Sequence, residues 1–555
     1  EDNLGTEVVN VVKPYTPTIS DAFKVKETPV LNDSLAAPKQ EVRYGIFSVP
    51  VASTFTPAKG KATKVAKAEK IRQYDNYVTL GFGNFTTVLG ELYSNFEISR
   101  TDNAGFFFRH SSSQGGIDNV RLENKYYNTQ LDGNYTSRER DLTLRLDGGA
   151  KHQLYNWYGL NSTYGTLTEG TIANFDAQQT YVSGNIGGTV ALEGSFFEKA
   201  TASLRYLTDA HSSSEFHATF QPEFSFPANN FSFAVKGDVD YVTGSFDRGY
   251  LAQQGTAYSN VNLGLIPGLV YVNSDLTLNL GIAAYAGLDL ENSDMDIYLF
   301  PRVLASYRLS GDRAIVYGGA KGGLHQNTYY DFKEANPFVS PTLSIHPTQQ
   351  LYDIYGGLKG KINNSIAYNL RGSYGKEEDK ALLRNNPDFA DRTQVLQGYE
   401  LGNSFGTIYD NVNTFSVFGE FNFDIANAFS LGVNVGYFNY GTTTEAHAWN
   451  LPDIKATVFS NFRFSDKIYG GASFFYVGER MDLYQRNGTF GAIITENVRL
   501  DSYLDANLHL GYAIDDRLSV FARGSNLLGN NYEKWFNYPV QGIQALLGAT
   551  YKFDW

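Results

Sequence analysis

The sequence predicts an all-β fold, specifically a transmembrane antiparallel β-barrel. Three observations point there: a period-2 alternation of apolar and polar residues that runs from Tyr77 to the end, an aromatic-rich composition, and long turn-punctuated runs. Tyr, Phe and Trp number 39, 39 and 4, about 15% of the 555 residues, beside 54 Gly, 2 Met and no Cys. This mixture excludes a helical bundle, a disordered or collagen-like chain and a disulfide scaffold. No apolar run is long enough for a spanning helix. The mean hydropathy of −0.31 fits a barrel as well as a soluble protein, because only alternate residues of a membrane strand face lipid.

The alternation is clearest in the last segment. Ala545, Leu547, Ala549, Tyr551, Phe553 and Trp555 fall on one face and Gln544, Gly548, Thr550, Lys552 and Asp554 on the other. Residues 504–514 and 415–423 repeat the pattern, the latter with Phe415, Val417, Gly419, Phe421 and Phe423 on one side. Many runs exceed the five or six residues of a soluble strand and suffice for a tilted strand to cross a bilayer. Twenty-two strands are expected, at 77–86, 89–99, 103–111, 120–135, 141–152, 178–192, 198–210, 214–226, 230–243, 257–273, 275–289, 295–308, 314–324, 350–361, 365–375, 412–423, 429–441, 448–464, 468–479, 498–512, 518–527 and 541–555.

Short turns are expected at Ser310-Gly311-Asp312, Asn363-Asn364-Ser365, Ser465-Asp466-Lys467 and Asp515-Asp516-Arg517, and longer polar connections at about 244–256, 325–349, 376–411 and 480–497. If the first strand runs outward, each short turn lands on one side and each long loop on the other. That asymmetry is typical of a barrel in the outer membrane of a Gram-negative envelope, with short periplasmic turns and long extracellular loops.

The net charge of −13 hides a boundary at residue 76. Residues 1–76 carry 11 Lys/Arg, 9 Asp/Glu and six aromatics, which leaves the body 77–555 with 34 Lys/Arg and 49 Asp/Glu. An acidic body excludes nucleic acid as partner, since phosphate binding needs a basic face. The first 76 residues are read as an extended N-terminal segment, in the periplasm or the lumen, because Pro14, Pro17, Pro29, Pro38, Pro50 and Pro57 interrupt them. Within it, Lys59, Lys61, Lys64, Lys67, Lys70 and Arg72 oppose Glu69 alone. This strip is either a solvated linker or a partner-docking or lumen-filling element drawn to acidic walls. The absence of Cys fits an oxidising envelope compartment, and no signal peptide is visible at Glu1.

Residues 501–555 carry a family resemblance. An alternating strand with Tyr512 before a short acidic turn, then Asn526-Leu527-Leu528 with Tyr532, then Pro539 and Gly542 leading into Gly548-Ala549-Thr550-Tyr551-Lys552-Phe553, resemble the closing strands of TonB-dependent outer-membrane receptors. The resemblance implies a 22-strand barrel and transport through it. Gly548, Tyr551, Phe553 and Trp555 also resemble the terminal signal read by the outer-membrane assembly machinery, although Phe is the usual last residue. The plainer reading gives the aromatic ones to lipid-facing girdle positions.

The resemblance further implies an N-terminal plug inside the barrel, and residues 1–76 are too short to hold one. The expectation is therefore a plugless, receptor-like barrel. Thr6-Glu7-Val8-Val9-Asn10-Val11-Val12 resembles the segment gripped by the energy-coupling protein of these receptors, but is read as a strand-forming piece, with Val8, Val9 and Val11 available to pair with a partner.

No enzyme is expected. The eight His residues, His110, His152, His211, His217, His325, His346, His447 and His509, form no zinc or nucleophile pattern. His217 and His509 are expected to face the lumen. Asp289, Glu291, Asp294 and Asp296 crowd an outer turn without the EF-hand order, and are read as a solvated acidic loop rather than a Ca²⁺ site. The Asp388 to Arg392 stretch is similarly ambiguous. Tyr329-Tyr330 is read as a surface for sugars or a partner. No cofactor is expected. Two functions remain: a structural or partner-docking subunit, scaffold or conduit, of an outer-membrane assembly, export or surface-protein complex, or a transporter, either a passive wide pore or a TonB-linked receptor whose plug another chain supplies. The partners implied are the lipid bilayer, the assembly machinery and other outer-membrane or surface proteins.

Overall fold

The computed structural model describes residues 74–161, 175–390, 396–425 and 428–554. Its strands are β1 (Asn76–Gly83), β2 (Val88–Glu97), β3 (Asp102–Ser113), β4 (Tyr126–Arg138), β5 (Leu142–Asn156), β6 (Gln178–Leu192), β7 (Phe197–Asp209), β8 (Ser214–Ala228), β9 (Phe231–Phe246), β10 (Thr256–Val272), β11 (Leu276–Asp289), β12 (Asp294–Ser310) and β13 (Ala314–His325). After a short helix α1 (Tyr329–Ala335) come β14 (Thr348–Asn363), β15 (Ile366–Asn385), β16 (Phe405–Ile425), β17 (Phe429–Thr442), β18 (Ile454–Arg463) and β19 (Ile468–Val477). Then follow β20 (Arg480–Asn487), β21 (Ile493–Leu500), β22 (Tyr503–Ala513), β23 (Leu518–Ser525), β24 (Glu533–Trp535), β25 (Tyr538–Pro539) and β26 (Gln544–Phe553).

Twenty-two of these strands form one antiparallel sheet. It closes where β1 pairs with β26, from Asn76 opposite Phe553 to Gly83 opposite Leu546. Side-chain bonds reinforce the seam: the hydroxyls of Thr79 and Thr550 lie 2.8 Å apart and the Asn76 amide donates to the Phe553 carbonyl at 3.1 Å. At Gly548 the Phe521 ring occupies the place a Cβ would take, 2.3 Å away, so only glycine lets that ring lie flat on the inner wall.

The alternation sorts the two faces as the sequence requires. Leu80, Phe82, Leu547 and Tyr551 are exposed on the outside, whereas Thr79 and Thr550 are buried inside. An apolar exterior of this extent is a lipid-facing band. The inner wall is polar. Glu91 faces Arg109 at 3.5 Å, and the expected luminal position of His217 holds its imidazole 2.7 Å from Asp240.

All connections on one rim have four residues or fewer, while those on the other reach 25, between β19 and β22. Short turns fall at the positions read from sequence, and side chains cap them. Asp515 accepts from the amides of Arg517 and Leu518 at 2.7 and 2.8 Å, Asn363 from Ser365 at 2.8 Å, and Ser465 from Ile468 at 3.1 Å. Such side chains satisfy amides that a two-stranded turn leaves free.

The differences lie at the long-loop rim. The connection expected at 376–411 is strand at both ends, because β15 runs to Asn385 and pairs with β16 down to Phe405. Residues 120–125 are loop, and β4 starts at Tyr126. The connection at 325–349 contains α1. The loop at 480–497 and the start of the run at 498–512 are a separate hairpin, β20 with β21. Each segment extends above the barrel, where tertiary packing rather than a lipid-facing period decides structure.

The lipid-facing assignment predicts that Leu547→Arg lowers unfolding stability in lipid vesicles by about 2 kcal/mol, measured by urea titration. A lumen-facing Gln544→Arg is expected to change it by well under half of that.

Candidate functional site

The largest buried core among the described residues lies among the long loops. The strands supply Tyr181, Leu207, Val242, Phe246 and Tyr258, and the connection 326–347 supplies Tyr329, Val339, Leu343 and Ile345. Phe405, Tyr484, Leu500, Trp535, Phe536 and Tyr538 complete it. These residues come from strands and loops all around the barrel, so the loops meet across the mouth and form a cap. Aromatic side chains suit this task because each buries a large area.

The tyrosines have a double role. The Phe338 and Tyr538 rings stack 3.8 Å apart, with Tyr158 at 4.8 Å from Tyr538. Their polar tips meanwhile donate to carbonyls of other loops: Tyr158 to Pro539 at 3.0 Å, Tyr181 to Pro337 at 3.1 Å, Tyr250 to Pro387 at 2.8 Å, and Tyr538 to Asn403. Trp157 does the same through Nε1 to Phe338 at 3.1 Å. Irregular loops expose carbonyls that burial would leave unsatisfied, and each of these donors removes one such cost while fixing two loops together.

Helix α1 is the lock between cap and wall. Thr328 caps it, accepting from the Asp331 amide at 3.0 Å, and itself accepts from Arg205 of β7 at 3.0 Å. Glu215 of β8 receives the amides of Tyr329 and Tyr330 at the helix start, where a carboxylate complements the free N–H groups. The Tyr329 hydroxyl donates to Asp209 at 2.7 Å. On the other side, Glu334 lies between Lys333 at 2.6 Å and Lys151 of β5 at 2.7 Å. Burial pushes Lys333 down to about 8 despite that partner. Glu334 is held at about 2, because the two ammonium groups outweigh its own burial.

A second node ties down the β20–β21 hairpin. Asp482 is fully buried and accepts from the Asn385 amide at 3.0 Å, the Asn450 side chain at 2.9 Å and its neighbour's amide, Leu483, at 2.8 Å. Burial raises its pKa to about 6. From the same hairpin Arg480 donates to the carbonyls of Lys534 and Glu533. Strands β15, β20 and the 443–453 and 526–543 connections are thereby joined through two charged side chains.

Of the residues singled out by sequence, Gly548, Tyr551 and Phe553 lie on β26 at the closing seam, with the Tyr551 and Phe553 rings stacked at 6.2 Å. Trp555, and Val8, Val9, Val11, Lys59, Lys61, Lys64, Lys67, Lys70 and Arg72, lie outside the described residues. Tyr329-Tyr330 is corrected: Tyr329 is fully buried and Arg205 sits 4.0 Å over the Tyr330 ring, so both are spent holding the cap. Asp289 caps its own turn, accepting from the amides of Glu291 and Asn292 at 3.0 Å. Asp388 lies beside the hairpin, its amide donating to Gln485 at 2.7 Å. Among the described residues no group of three His, Asp or Glu is placed to share a metal ion. The cap escaped sequence reading, although Thr328-x-x-Asp331 is a helix-start signal, and Val498 and Leu500 alternate with Asn497 and Arg499 after Gly491 as a hairpin strand does.

No protein-family model and no curated protein matches the sequence. Solved structures do match in fold. The ferric-catecholate import receptor Fiu from E. coli K12 has a TM-score of 0.63 at 12% identity, over 87% of this chain and 82% of that one. The FrpB iron transporter from Neisseria meningitidis has a TM-score of 0.65 at 10% identity, over 87% and 82%. The ferripyoverdine receptor of the outer membrane of Pseudomonas aeruginosa has 0.57 at 12%, over 87% and 72%. The chain thus shares the fold of these receptors and transporters.

Two outcomes follow for the cap. With its folded pKa above the ordinary carboxylate value, Asp482 holds its proton more tightly in the docked hairpin than in the open one. Its contribution is therefore fullest below about pH 4 and is lost as the pH rises through about 6, by roughly 1–3 kcal/mol. Amide exchange of residues 480–500 is expected to be slower at pH 5 than at pH 8, after correction for intrinsic rates. Asp482→Asn should flatten the difference. Removing Glu334 from between its two lysines, as in Glu334→Ala, leaves buried cations uncompensated and should cost about 3 kcal/mol of cap stability, read as faster proteolysis of 326–347 with the barrel intact.

Proposed function

We propose that this chain is an outer-membrane barrel that docks partners, a structural subunit of a larger envelope complex, rather than an open pore. The observation that carries the reading is the cap. Loops from around the rim bury one shared aromatic core and are pinned by buried charge pairs, so the resting barrel presents a fixed outer surface. An element built for free diffusion gains nothing from that investment in burial. The short-turn rim is assigned to the periplasm and the long-loop rim to the outside, in line with the C-terminal strand's likeness to the assembly signal. Residues 1–76 then serve the complex either as a lumen filler or as a partner-pairing tail.

A second reading is favoured by one observation, the common fold with iron and siderophore receptors. In it the cap is a gate, and a solute or an energised partner opens it.

The resting state is tested in planar bilayers with the purified full chain. Conductance close to baseline is expected, rising several-fold in a Tyr538→Ala/Lys333→Ala variant. Large, steady conductance of the unaltered chain would overturn both readings that rely on a closed cap. Isolation from native membranes at endogenous level separates the two: a reproducible set of bound proteins supports docking, whereas a solitary barrel that supports energy-dependent solute uptake supports transport.

A further inference from the structure

The inner wall does not distribute charge evenly. On β7 to β9 the luminal residues alternate in sign: Glu223 sits between Lys199 and Lys236 at 3.4 Å from each, and His217 lies against Asp240. On β12 to β15 they do not. Arg302 is directly opposite Lys321, and Lys321 is directly opposite Asp353. Arg371 of β15 reaches back to the same carboxylate at 2.6 Å. Lys359 lies on the same face six residues along β14 from Asp353, opposite Ile315, which Arg308 of β12 also faces, and Glu420 faces Asn369 on the next strand. Three cations, Arg302, Lys321 and Arg371, thus gather at one carboxylate, Asp353, which Arg371 already engages.

Like charges directly opposite each other destabilise an antiparallel sheet. Chains accept such a local cost where it serves a site. The cations are also held in place. The Arg371 guanidinium stacks 4.1 Å from the Tyr355 ring, and Lys359 lies 5.5 Å from the Tyr317 ring, whose hydroxyl donates to Asn369 at 2.6 Å. Gly357 makes room for this, since a Cβ there would sit 2.5 Å from Tyr317. Prepositioned guanidinium and ammonium groups on a concave wall match an oxyanion with several charged groups.

We propose that the luminal face of β12 to β15, centred on Arg302, Lys321 and Arg371, binds a small multivalent oxyanion, one bearing two or three carboxylate or phosphoryl groups. Arg302 and Lys321 grip one group, and Arg371, stacked on Tyr355, orients the next. The site does not rest on the docking reading of the preceding section.

Calorimetric titration of the full chain in detergent at low salt, with citrate and with pyrophosphate, tests it, each variant first being checked for heat-modifiable migration of the folded barrel. Saturable binding of at least one probe is expected, weakening with added salt. Arg302→Gln/Lys321→Gln should reduce the affinity at least tenfold, and Lys199→Gln/Lys236→Gln on the sign-alternating wall of β7 to β9 should leave it within twofold. The probe bound more tightly tells carboxylate from phosphoryl selectivity. No saturable binding of either probe, or equal weakening by the two double variants, would overturn the proposal.

Discussion

Everything in this molecule depends on the closure of β1 on β26. In hydrocarbon an unpaired backbone N–H or C=O costs several kcal/mol, roughly the whole margin of a folded domain's stability. An open edge is therefore not an option, and the Asn76 to Gly83 strand must meet the Gln544 to Phe553 strand in register. The Thr79–Thr550 contact and the glycine under Phe521 serve that register. Once it is fixed, the two faces, the two rims and the width of the lumen are fixed as well.

Closure with this many strands creates the second constraint, a lumen too wide for side chains to fill. The cap answers it at the long-loop rim. Its economy lies in using one residue type for two needs: tyrosine rings supply the apolar burial, and their hydroxyls satisfy the loop carbonyls that burial would strand. The charged nodes add direction rather than bulk. Glu215 and Glu334 orient helix α1 against β5 to β8, and Asp482 orients the hairpin against β15.

The inner wall shows two designs side by side. Where signs alternate, as on β7 to β9, the wall satisfies itself and is inert. Where cations face each other, as Arg302 and Lys321 do, the wall is locally basic. The net acidity of the chain says nothing of this contrast, because net charge sums over loops, lipid-facing strand ends and lumen alike. A basic sector inside an acidic barrel also means that a basic segment is not drawn uniformly to the interior.

How much was legible follows from what each residue answers to. A strand in lipid answers to the bilayer, a constraint identical at every position, so Leu80, Phe82 and Leu547 point outward for a reason that each local window displays. Strand number, turn positions and the seam at Gly548 were accordingly determined by the sequence alone. Tyr329, Glu334 and Asp482 answer to Glu215, Lys151 and Asn385, which lie 114, 183 and 97 residues away. No window contains both members of such a pair. The barrel was thus written in the period of the chain, while the cap at its long-loop rim and the charge pairing of its inner wall were decided only when closure brought distant strands to the same rim and the same register.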